Sequence, residues 1–181
     1  DAPAWHPHAA KVGLGGINAV TGAPWDDTLR AAPQDYLVCP PQPWLDGVNA
    51  GAGRVRQFVA VPLGAGQTVE AAVTGAERVG GLQVVVYPPA PGRFPEAPPP
   101  RDDLDPLAQG MPAPMGLGSG GAIRQKLYPD PYGIDTWDAA NRASVVVHLV
   151  AAAAFPALTG EAPPPSPIDA ATYAAHGIPW F

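Results

Sequence analysis

Proline and glycine set the strongest limit on what this chain can fold into. It carries 26 Pro and 21 Gly among 181 residues. Pro removes a backbone donor and breaks helices, while Gly loses the most backbone freedom on ordering. A chain punctuated this densely has little room for long helices and suits short strands joined by tight turns. Hydrophobic residues still make up 46%, near the globular average, which argues against wholesale disorder.

The apolar runs between the breaks read as strands. They cover Lys11 to Val20, Tyr36 to Cys39, Trp44 to Val48, "RVRQFVAVPL", "TVEAAVTG", "GGLQVVVYPP", "AIRQKLYP" and "ASVVVHLVAAAAF". In "LQVVVY", alternation puts Leu82, Val84 and Val86 on one face and Gln83, Val85 and Tyr87 on the other. Its consecutive valines predict a central strand buried on both faces. Residues 88–116 are dense in proline and lack any period, so they read as a surface excursion, partly polyproline II. A short helix is predicted at about 167–176. Ser166 caps it, Pro167 opens it, Asp169 completes a capping box and Gly177 closes it. The pattern predicts a mainly β chain: one antiparallel β-sandwich or barrel-like domain over residues 1–181, with a short C-terminal helix.

Net charge is −6 with only 10 Lys+Arg and no basic cluster. Neither a nucleic-acid binder nor a polybasic membrane anchor has that profile. No apolar run has membrane-spanning length. Cys39 is the only cysteine, which excludes an intrachain disulfide and an all-cysteine zinc site. The chain begins at Asp1 and shows no signal peptide as given. A removed leader and a trimmed start both fit such a beginning, so the compartment stays open.

Two stretches echo each other: "GAGRVRQFV" and "GSGGAIRQKL". One reading is a pair of equivalent turns in a duplicated β-unit. The other is an anion site gripped by Arg56 and Arg124. No Lys-Ser/Thr follows the glycines, and they open strands rather than helices, so neither a P-loop nor a dinucleotide fingerprint is present. Alternation puts Val55 with Gln57 and Ile123 with Gln125 on the core side, where each Gln needs a hydrogen-bond partner, and each Arg opposite. An acid is expected beside each: Asp46 or Glu70 for Arg56, and Asp135 or Asp138 for Arg124.

Four further groups bear on chemistry. "DPYGIDTWD" gathers Asp130, Asp135 and Asp138 with Tyr132 and Trp137. Such acids close turns, hold Ca²⁺ or, beside aromatic platforms, bind or cleave glycans. "RDDLDP" adds Asp102, Asp103 and Asp105 in the proline-rich stretch, as solvated acids or Ca²⁺ ligands. "WHPH" sets His6 and His8 on one side of an extended chain, half of a zinc or copper site. His148, His176 or a carboxylate would have to complete it. Cys39 reads as a small buried hydrophobe with no nucleophile partner in view. Ser119, Ser144 and Ser166 lack a nucleophile-elbow frame. Trp44, Trp137 and Trp180 serve as core corners or, if exposed, mark a protein or glycan surface.

The phrases "KVGLGGINAVTG", "QPWLDG", "RQFVAVPLGAGQTVE", "MGLGSGGAIRQKLYPDPYGIDTWD" and "PPPSPIDAATYAAHGIPWF" carry a resemblance covering most of the chain outside the proline-rich stretch. The chain resembles a family of uncharacterised proteins of bacteria and filamentous fungi. In some fungal members a domain similar to Lys11–Val86 precedes a ubiquitin unit. This chain has no ubiquitin-like segment. The resemblance implies no activity and no catalytic residue, and family members run on past "PWF". The residues themselves point to a non-catalytic binding, structural or self-assembling module, associating with protein or with itself through an edge strand. The alternative is a small hydrolase or a metal- or glycan-binding protein built on Arg124 and the acids of residues 116–138. No cofactor is implied beyond Ca²⁺ or Zn²⁺ at those acids or histidines.

Overall fold

The computed structural model describes residues 2–51, 54–98, 122–123 (backbone alone) and 125–163. The chain divides into two compact units, Asp1–His148 and Leu149–Phe181. The first holds β1 (His8–Leu14), β2 (Ile17–Asn18), β3 (Leu37–Cys39), β4 (Gly47–Asn49), β5 (Val55–Gln57), α1 (Val69–Thr74), β6 (Leu82–Tyr87), β7 (Ala122–Ile123) and β8 (Ala143–Val147). A 3₁₀ turn, Ile134–Thr136, precedes β8. In the second unit α2 (Phe155–Thr159) ends at Gly160, whose φ of 76° closes the helix. The architecture is mainly β, as the punctuation favours, and every strand pair among the described residues is antiparallel.

The larger sheet runs β2-β1-β6-β8, with β3 also on β1, and the smaller runs β4-β5-β7. Among the described strands neither sheet closes into a barrel. β1 and β6 alternate strictly, so Ala9, Lys11 and Gly13 face the core together with Gln83, Val85 and Tyr87. The core gathers Ala9, Tyr36, Val38, Val85, Tyr87 and Trp137, with Trp25, Leu29 and Ile134 packed against it.

Several expectations change. β6 is an inner strand, but only one of its faces is buried; Leu82, Val84 and Val86 are half-exposed. "TVEAAVTG" folds as helix α1 rather than as a strand. Its β-branched residues favour a strand, but both ends are capped. The Thr68 hydroxyl accepts from Ala71 N–H at 3.1 Å, and Gly75 takes the left-handed conformation at φ 76°. The strand expected along "RVRQFVAVPL" stops at Gln57. Ala50 N–H donating to Arg54 C=O sets the parity of the β4–β5 ladder, and its next exchange would join Asp46 to Phe58. The Asp46 N–H is instead taken by the Gln125 side chain at 2.6 Å. "AAAAF" does not extend β8, which ends at Val147.

The helix predicted at 167–176 lies outside the described residues, as does most of the proline-rich stretch. The described start of that stretch is tied down. Ala90 N–H donates to Thr136 C=O at 2.7 Å, and Asp138 N–H to Pro88 C=O at 2.8 Å.

Candidate functional site

Asp130 sits at the centre of the acid-aromatic stretch. Its Oδ2 accepts from the Tyr36 hydroxyl at 2.6 Å and from Trp137 Nε1 at 2.8 Å. Its Oδ1 accepts from the backbone N–H groups of Tyr132 and Gly133 at 2.8 and 3.1 Å. Burial pushes its pKa up, but these donors outweigh burial and hold it below the usual carboxylate value. Burial and then the Asp130 carboxylate push the Tyr36 phenol up. Asp138 closes its own turn, accepting from Ala140 N–H, Asn141 N–H and Asn141 Nδ2. Asp135 lies in the 3₁₀ turn, and its backbone carbonyl accepts from Arg93 at 3.5 Å. Trp137 is a core residue, not a surface platform. Tyr132 lies edge-on to it at 6.0 Å.

The repeated Arg-Gln stretches turn out to be neighbours. β5 and β7 pair antiparallel, with Val55 directly opposite its equivalent Ile123 and Arg56 opposite Ala122. Arg56 is exposed and makes no salt bridge among the described residues. The acids expected beside it are engaged elsewhere. Asp46 accepts from Trp44 Nε1 at 3.0 Å. The Glu70 carboxylate accepts the backbone N–H groups of Arg78, Val79 and Gly80 at 2.8, 2.9 and 3.1 Å. Burial acts to raise the Glu70 pKa, and the three donors outweigh it. Arg124 lies outside the described residues, as do Asp102, Asp103, Asp105, Ser119, Ser166, His176 and Trp180.

The His6 and His8 rings stand 5.1 Å apart, tilted by 58°. His8 lies directly opposite Cys39 across β1 and β3. Burial lowers the His8 pKa and raises that of the Cys39 thiol, so both neutral forms are favoured. His148 follows β8 and is exposed. Among the described residues no three His, Cys, Asp or Glu side chains gather into a metal-binding group.

Three glutamines organise this region: Gln34 and Gln42, which the sequence does not single out, and Gln125, expected to need a hydrogen-bond partner. Gln34 Nε2 donates to Tyr36 C=O and Tyr128 C=O at 2.9 and 3.1 Å, and its Oε1 accepts from Asp130 N–H at 2.8 Å. Gln42 repeats the pattern with Trp44 C=O, Lys126 C=O and Tyr128 N–H at 2.9, 3.1 and 2.9 Å. Gln125 answers from the other segment, bonding Trp44 C=O and Asp46 N–H at 3.2 and 2.6 Å. Each side-chain amide thus stands in for a peptide unit. Together they stitch residues 125–130 antiparallel to residues 34–46, two segments that no described strand pairing joins. "Gln-Asp-Tyr" and "Gln-Pro-Trp", eight positions apart, were the available signal.

Lys11 was also missed, because it occupies a core-facing position on β1. Its ammonium is buried 2.8 Å from Asp35 Oδ2, 2.6 Å from Thr28 C=O and 3.3 Å from Asp26 Oδ1. Arg30 also bonds Asp26 and holds its carboxyl well below the usual range. Among the described residues, every buried side-chain nitrogen and oxygen has a partner.

The surface that remains unaccounted for is the second face of the larger sheet. Register places Ala10, Val86 and Ala143 in one row, Val12, Val84 and Val145 in the next, and Leu14, Leu82 and Val147 in the third. All nine are apolar, and none belongs to the buried core. Exposure increases toward β8, where every residue is exposed and Val145, Val146 and Val147 stand at 54, 52 and 41%. β8 is an edge strand: β6 pairs one side of it, and no described strand pairs the other. Gly81, at the end of β6, lets the backbone close on it. A Cβ there would sit 2.6 Å from Val147 C=O, at a φ of 63°.

The geometry is that of a β module with an apolar sheet face, half-buried over β1 and β6 and exposed over β8, and an edge that no described strand pairs. No protein-family model, curated protein or solved structure matches the chain. Among the described residues no helix is long and apolar enough to cross a membrane.

Proposed function

We propose that this protein is a non-catalytic, self-associating β module whose contact surface is β8 and the apolar face that β8 extends. One observation carries the reading: β8 has one side that no described strand pairs, and valines exposed on both of its faces. Edge strands that must stay single carry a charge, a proline or a bulge. "ASVVV" has none of these. A low share of charged residues, 14%, leaves few devices elsewhere to keep copies apart. The acids of the 130–138 stretch favour the same reading over a hydrolase or a metal or glycan site. Asp130 and Asp138 spend their oxygens on turns and on Tyr36 and Trp137.

The test is light scattering over a concentration series, with wild type beside Val146→Lys. The wild-type mass should rise from one chain to two or more, while Val146→Lys should stay at one chain with an unchanged melting temperature. A wild type that remains monomeric up to its solubility limit removes the proposal.

A further inference from the structure

The ladder itself specifies how two such edges would meet. Gly15 N–H donates to Gly81 C=O at 3.0 Å, one step beyond the β1–β6 register. In an antiparallel ladder that bond sets the parity of every later pair. Gln83, Val85 and Tyr87 therefore exchange backbone bonds with β1, while Leu82, Val84 and Val86 direct theirs to β8. Their partners in β8 are Val147, Val145 and Ala143. The two strand residues left over, Ser144 and Val146, direct their N–H and C=O groups away from β6, along the edge that no described strand pairs.

We infer that β8 pairs with β8 of a second copy, antiparallel about a two-fold axis at Val145. This step rests on the self-associating reading and names its partner and register. Ser144 of one copy lies opposite Val146 of the other, and the reverse pair follows by symmetry. Each pair exchanges both N–H···O bonds, so all the outward backbone groups of the strand are satisfied at once. Centring the axis on Ser144 or on Val146 leaves one of the two without a partner inside β8. Val145 then faces its own copy in a non-hydrogen-bonded pair, where side chains come closest. The axis stands perpendicular to the sheet, so the apolar face stays on one side and doubles in width. Its middle row becomes Val12, Val84 and Val145, then the second copy's Val145, Val84 and Val12. β8 carries no charge, so this apposition brings no like charges together despite the chain's net −6.

Cysteine crosslinking reads the register directly. In a Cys39→Ser background, Val145→Cys should oxidise to a covalent dimer about tenfold faster than Ser144→Cys or Val146→Cys, because only position 145 meets itself within disulfide reach. Mixing Ser144→Cys with Val146→Cys should give the mixed dimer. If Cys39→Ser lowers the melting temperature, Val145→Cys is oxidised with Cys39 retained and the link is located by peptide mass. A 145–145 link is expected, and a link through Cys39 alone overturns the register. Equal rates at the three positions, in samples that scatter as assemblies, also overturn it and leave self-association standing. Monomers by light scattering sink both.

Discussion

Replacing Gln34 by Leu should release residues 125–130 from residues 34–46 at one defined point. The substitution keeps the bulk of the side chain and removes its amide. Two donated bonds are lost, at 2.9 and 3.1 Å, with one accepted bond at 2.8 Å. At about 1 kcal/mol net for each neutral bond, the loss is about 2–3 kcal/mol. The Asp130 N–H and Tyr128 C=O left behind stay partly buried, which keeps the value from falling lower. For a unit of this size that shifts the melting temperature by roughly 5–10 °C. Gln42→Leu removes the matching set and should cost about the same. Both amides hold Tyr128, one by its carbonyl and the other by its N–H, so the double variant should lose less than the sum. Urea unfolding gives the energies, and hydrogen exchange gives the location. The Asp130 amide should lose protection in Gln34→Leu and the Tyr128 amide in Gln42→Leu. Two variants within about 0.5 kcal/mol of wild type, with those amides still protected, would show that the glutamines do not hold the segment.

Two further outcomes follow from buried groups. Lys11→Met leaves the buried Asp35 carboxylate with Arg30 alone and should cost about 3–5 kcal/mol in urea unfolding. Adding Asp35→Asn should recover part of that, and strict additivity would refute the pairing. Burial pushes the Tyr87 phenol up to about 12, where its hydroxyl donates to Asp27 C=O at 2.6 Å. A raised folded pKa makes this stabilisation complete below the unfolded value of about 10 and lost as pH rises through about 12. Over that window the unfolded chain has released the proton that the folded chain keeps. Alkaline unfolding of Tyr87→Phe should therefore be shallower than wild type, with Tyr36, also raised by burial, supplying what remains. An unchanged alkaline limb would contradict the assignment.

What could be read from the residues alone is local and periodic. Alternation in "HAAKVGL" and "LQVVVY" specifies two strands and the face each turns inward. The likeness of "RVRQ" to "AIRQ" anticipates two equivalent β segments, and the structure makes them antiparallel neighbours. The caps of α1 are also legible, since Thr68 precedes the run and Gly75 follows it, although its β-branched residues favour a strand. These signals act between residues a few positions apart, where backbone sterics and single hydrogen bonds decide the outcome.

Tertiary structure decided the rest. "VVV" reads the same in an inner strand and at an edge; sheet order alone makes β6 inner and puts β8 at the edge of the described sheet. A lysine at a core-facing position becomes acceptable only when Asp35, 24 residues away, arrives to meet its charge. The three glutamines gain their roles from segments 79 to 96 residues distant along the chain. A polar group's burial cost depends on which partners surround it, and the sequence lists those partners without saying which will come within hydrogen-bond reach. Alternation along one strand therefore specifies a face, while the strands that neighbour it determine whether that face becomes core or stays exposed.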